Sequence, residues 1–152
     1  MHAFPHRYHA SAEAHPAGDV ELASPGLPAM LTASPAEFDG PGTRWSPEAL
    51  ITGAVADCFI LTFRAVARAA RLPWTSLRCD VTGTLDRIER VTQFTGFEVR
   101  THLTVPDGTS AELAGRALEK AEQGCLISNS MKGSVRLVPV VEVEQPAVPT
   151  FA

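Results

Sequence analysis

The stretch Ser46-Pro47-Glu48-Ala49-Leu50-Ile51-Thr52-Gly53-Ala54-Val55-Ala56-Asp57-Cys58-Phe59 decides the fold. Ser46 can accept hydrogen bonds from the free N–H groups of a first helical turn, and Pro47 is already shaped for the first helical position. The pattern predicts a helix that runs to about Leu72, where Pro73 stops it. Ile51, Ala54, Val55, Cys58, Leu61, Thr62, Ala65, Val66 and Ala69 recur at steps of three and four, and Phe59 and Phe63 widen the apolar surface beyond one stripe. A helix of this kind belongs in a buried centre. Its polar residues Arg64, Arg68 and Arg71 gather in the last turns, where the helix dipole favours cations and a solvated face accounts for them.

Downstream, Leu77, Cys79, Val81, Gly83 and Leu85 alternate with polar residues, as do Phe97, Val99, Thr101, Leu103 and Val105. That period of two predicts the paired strands of one hairpin. Thr109 and Glu112 have capping-box spacing and open a second helix, in which Leu113, Ala117 and Ala121 step toward Gly124 as the terminator. Cys125 then falls where a helix ends. Val135 to Val143 reads as a last strand, which Pro139 places at an edge or a bulge. Upstream, the even positions from His6 to Ala14 suit a half-buried strand, Asp19 to Ala23 a second, and Ala29 to Ala33 a third within the Pro- and Gly-rich segment Ser24 to Gly42. The order is α+β: a single domain over 1–144, and a flexible tail over 145–152.

With 152 residues, 45% of them hydrophobic, the chain can bury a core without disulfide or metal staples. A net charge of -4 and a pI near 5.7 argue against nucleic acid or an anionic membrane as partner and favour a small molecule. Met1 to Ala14 has no apolar core of a signal peptide, so the expected location is cytoplasmic. Three cysteines in a reducing compartment do not make a disulfide framework. His2, His6, His9 and His15 do not complete a metal-ligand pattern, and no metal or bound cofactor is expected.

The thiols carry the chemistry. Cys79 sits in the inward phase of a strand, where a free cysteine serves as a small apolar residue. Cys58 lies on an apolar helix face, and a thiol in such a place is core unless a nearby cation or directed hydrogen bonds favour the thiolate. Glu48 precedes it by ten residues, about 15 Å of rise and roughly 80° of rotation on a straight helix, which excludes direct contact within that helix. It either complements the helix N-terminus, or orients an arginine that reaches the sulfur, or acts across a subunit interface.

Two motifs, Ser46-Pro47-Glu48-Ala49-Leu50 ten residues ahead of Asp57-Cys58-Phe59, and Ala121-Glu122-Gln123-Gly124-Cys125-Leu126-Ile127-Ser128 followed by a strand, together resemble the OsmC/Ohr family of hydroperoxide-reducing proteins. The resemblance spans about His6 to Val143. It implies antiparallel sheets around a long buried central helix and a second helix, in an intertwined homodimer. It also implies that Cys58 is the peroxidatic cysteine, which reduces an organic hydroperoxide to an alcohol and becomes a sulfenic acid. Cys125 would resolve it to a disulfide, which an external thiol reductant such as a lipoyl dithiol reopens, and Glu48 would orient the activating arginine. Where family members carry that arginine, this chain has His15-Pro16-Ala17-Gly18 or Glu37 before Phe38-Asp39-Gly40. Arg44 is the candidate in its place, ahead of Arg7. Many members also have proline where Leu126 stands. The expectation is an organic hydroperoxide reductase. The alternative is a protein of the same fold without efficient peroxidase activity, serving as an apolar small-molecule binder or redox sensor.

Overall fold

The structure, a computed structural model, describes residues 1–149 and divides the chain into two compact units, Met1–Ile51 and the residues from Thr52 onward. The first unit holds a three-stranded antiparallel sheet of β1 (Ser11–Glu13), β2 (Val20–Ala23) and β3 (Met30–Thr32), in that order. The strand expected over His6 to Ala14 is confined to Ser11–Glu13, and all three residues are exposed. Its partner β2 has only four residues, and the chain turns away just after it, with Leu27 N–H donating to the Ser24 carbonyl at 3.1 Å. Arg7 therefore precedes the sheet instead of lying on a strand.

Helix α1 runs over Pro47–Ala70. It starts as the sequence dictates: Ser46 Oγ accepts from Ala49 N–H at 3.1 Å and the Ser46 carbonyl from Leu50 N–H at 2.8 Å. At its end Arg71 adopts a left-handed φ of 52° and Leu72 N–H returns to the Ala67 carbonyl at 2.9 Å, with Pro73 following. The buried stripe is Val55, Phe59, Phe63 and Ala67, four residues apart at each step. The two phenylalanines expected to widen the apolar face are thus the core itself. Ala54, Cys58, Leu61 and Ala65 form a second apolar stripe that the chain leaves half-buried or open, with Leu61 53% exposed. The most apolar window of this helix has a mean hydropathy of 1.7, enough by length and composition to cross a membrane, yet 17% of it is buried within the chain. The long central helix is buried along one stripe only, so much of its apolar surface calls for cover.

In the second unit β4 (Ser76–Ile88) and β5 (Val91–Val105) form the expected hairpin, joined at Glu89 and Arg90, whose φ values of 48° and 70° make the two-residue turn. Leu77, Cys79, Val81, Gly83 and Leu85 do face inward. Gly83 lets the aromatic pair Phe94 and Phe97 lie across β4, since a Cβ there would sit 2.9 Å from each ring. After α2 (Ala111–Gly124) and the single turn α3 (Leu126–Asn129), β6 (Ser134–Val143) pairs with β5 at the sheet edge. That pair is parallel, a departure from wholly antiparallel sheets, because α2 carries the chain back across the sheet before β6 begins. The hydroxyl that caps α2 belongs to Ser110, which accepts from Leu113 N–H at 3.2 Å, and not to Thr109 as the capping-box spacing suggested. The core joins the α1 stripe to Val99, Leu103 and Val105 of β5 and Ala114, Leu118 and Ala121 of α2. The tail expected from residue 145 has no helix or strand through residue 149, and its last three residues lie outside the described ones.

Candidate active site

Cys58 is half-buried on the uncovered stripe of α1. Its sulfur lies 3.9 Å from Thr62 Oγ1, while the Thr62 hydroxyl donates to the Cys58 carbonyl at 2.7 Å. The end of α2 packs against this same turn. A Cβ on Gly124 would stand 3.3 Å from Thr62 Cγ2, so the missing side chain is what admits α2 so near. Gly124 ends α2 as expected, without a positive φ, and its lack of a side chain also serves this close approach.

The consequence is that the residue after Gly124 meets α1. Leu126 and Ile127, which follow Cys125, line one cavity with Cys58, and Cys58 is near enough to Cys125 to push its thiol up. Cys125 is fully buried, at 0% exposure, between the end of α2 and the start of α3, where its carbonyl accepts from Asn129 N–H at 3.0 Å. Ser128, itself buried, donates its hydroxyl to Cys125 Sγ at 3.3 Å. Burial pushes the Cys125 thiol above its ordinary value; the Ser128 hydroxyl opposes that rise and the neighbouring Cys58 adds to it. Ser128 was not singled out from the sequence, although a serine three residues after a cysteine at a helix start is the spacing that brings a hydroxyl onto the sulfur. Cys79, half-buried on β4, is pushed up to about 12 by burial first, then by Asp80 and Cys125. It stays a neutral thiol.

Beside Cys58 opens a cavity of about 530 Å³. Ala54, Leu61, Ala65, Leu126 and Ile127 make its walls apolar, and Asp57, Cys58 and Thr62 supply its polar atoms. The volume suits a small organic molecule. A larger cavity of about 710 Å³ lies between Arg71 and Leu72 after α1 and the cap Ser110 and Arg116 at the start of α2, and no thiol lines it. Among the described residues no three His, Cys, Asp or Glu side chains gather as metal ligands.

The other two candidate residues belong to the first unit. Glu48 is half-buried in the first turn of α1, where its charge complements the helix N-terminus. Arg44 is held by Asp19, its Nε donating to Oδ2 at 3.0 Å. Its guanidinium is about half exposed, with a side-chain exposure of 45%.

A model of the family described as OsmC-like protein matches residues 40–139. The chain belongs to the OsmC family. Among solved structures, an OsmC-like protein of unknown function from Vibrio cholerae superposes with a TM-score of 0.80 at 19% identity, covering 90% of this chain and 100% of that one. An organic hydroperoxide resistance protein OsmC from Legionella pneumophila superposes with a TM-score of 0.73 at 25% identity, covering 93% and 100%. The uncharacterized protein YmaD of Bacillus subtilis is 29% identical over 106 residues, 68% of this chain and 71% of its own length. The matched residues include both Cys58 and Cys125, and solved structures similar to this chain include proteins named for resistance to organic hydroperoxides.

Proposed function

We propose that the protein is a thiol-dependent peroxidase that reduces organic hydroperoxides to alcohols. The observation that carries this reading is that half-buried Cys58 opens on an apolar cavity with the sealed Cys125 as its neighbour. Cys58 as thiolate attacks the distal peroxide oxygen, the O–O bond breaks, the alcohol leaves, and Cys58 becomes a sulfenic acid. Cys125 Sγ then displaces the hydroxyl as water to form the disulfide, and an external dithiol of the lipoyl kind supplies two electrons to reopen it. Glu48 is assigned by the family pattern to orient the activating cation, and Arg44 is the candidate for that cation. A second copy of the chain is the natural cover for the open apolar stripe of α1, in a homodimer working in the reducing cytoplasm.

One observation favours the alternative of an apolar-ligand binder or redox sensor: Asp19 already holds the Arg44 guanidinium. Steady-state consumption of cumene hydroperoxide with dihydrolipoamide separates the two. A peroxidase consumes peroxide far faster than a free thiol and loses that rate in Arg44→Ala. Consumption at the free-thiol rate contradicts the peroxidase reading, and an unchanged rate in Arg44→Ala removes Arg44 from the site.

A further inference from the structure

We propose that the Cys58–Cys125 disulfide is reopened from the Cys58 side, with Ser128 holding the Cys125 sulfur as the leaving thiolate. This inference rests on the two-cysteine reading above and adds which sulfur the reductant attacks and which residue directs it.

Access is the first ground. Cys58 lines the cavity together with Leu126 and Ile127, and Cys125 is not among its walls. With 0% exposure, Cys125 offers an entering thiolate no line of approach, whereas half-buried Cys58 does. Thiol–disulfide exchange depends on which sulfur can be reached.

The second ground is the asymmetry of the two hydroxyls. Ser128 aims its proton at Cys125 Sγ from 3.3 Å, and the residue is only 8% exposed. Thr62 gives its proton to the Cys58 carbonyl at 2.7 Å and so has none for the Cys58 sulfur. A hydrogen bond to an ionised acceptor is roughly twice as strong as one to a neutral acceptor, so the Ser128 contact strengthens when Cys125 becomes a thiolate. A more stable leaving thiolate leaves faster. Ser128 is thus a positioning residue for the reductive step.

The step balances with a dithiol as co-reactant. One thiolate of the dithiol bonds to Cys58 Sγ, the Cys58–Cys125 bond breaks, and its electron pair stays on Cys125 Sγ, which then takes up a proton. The second thiol of the dithiol, losing its proton, attacks its own sulfur partner in the mixed disulfide and expels Cys58 as thiolate. The dithiol leaves as a cyclic disulfide, and two electrons have passed to the protein.

The test forms the disulfide with diamide, independently of any peroxide chemistry, and treats it with limiting glutathione before acid quenching and peptide mapping. The account predicts glutathione on Cys58. It also predicts that Ser128→Ala, folded by circular dichroism, is opened by dithiothreitol about tenfold more slowly, the loss expected for one hydrogen bond to a charged group. Ser128→Thr restores the rate. Glutathione on Cys125, or an unchanged rate in Ser128→Ala, overturns the inference and leaves the peroxidase reading standing. Failure of both diamide and cumene hydroperoxide to produce the Cys58–Cys125 linkage overturns both.

Discussion

Cys58 stands on a helix face that its own chain leaves half uncovered, beside an apolar cavity, whereas Cys125 is sealed at the corner between α2 and α3 with a serine hydroxyl on its sulfur. The two thiols are neighbours, yet their surroundings suit opposite duties. An attacking sulfur must meet a substrate from outside. A resolving sulfur needs only its partner, and burial protects it from oxidants meant for the other. The fold obtains this difference from a helix with two apolar stripes and from a glycine that lets α2 close on one of them.

The largest expected effects come from removing one thiol at a time. Cys58→Ser reduces peroxide consumption to background, while Cys125→Ser still consumes one equivalent per chain and stops at a Cys58 sulfenic acid that dimedone traps. Equal behaviour of the two variants would erase the division of labour. A smaller effect tests the approach of the helices. In Gly124→Ala the new Cβ crowds Thr62 at 3.3 Å, so disulfide formation after peroxide slows several-fold. Stability moves by no more than about 1 kcal/mol, because the gain in helix propensity offsets the crowding. Stopped-flow and urea denaturation read the two quantities separately.

The smallest effect belongs to the third thiol. The fold favours neutral Cys79 by moving it from 9.0 up to about 12. Its contribution is therefore fully present below the ordinary thiol value and is lost as pH rises toward 12. Cys79→Val should flatten the fall of the urea midpoint above neutral pH without abolishing it, since Cys125 is raised as well, and should leave peroxide turnover unchanged. A loss of turnover in Cys79→Val would make Cys79 part of the site.

What the sequence could tell depended on whether the physics was local. Ser46-Pro47, the alternation from Leu77 to Leu85 and the pairing of the two cysteine motifs rest on neighbours in the chain, and they placed α1, the hairpin and the family correctly. The stripe that is buried could not be chosen from α1 alone, because apolar residues lie on more than one face and packing against β5 and α2 selects Phe59 and Phe63. The hold of Asp19 on Arg44 joins positions 25 apart across a loop, beyond any periodic pattern. Ser128 was legible in principle, but its meaning depends on Cys125 starting a helical turn.

The central claim is that peroxide oxidises Cys58 and Cys125 captures it. One measurement reaches it directly: cumene hydroperoxide added at one equivalent to the reduced protein, followed by alkylation and mass mapping of the disulfides. The account predicts a Cys58–Cys125 linkage with Cys79 alkylated as a free thiol. An intact fold with no such linkage, or with Cys79 in the bridge, would contradict it.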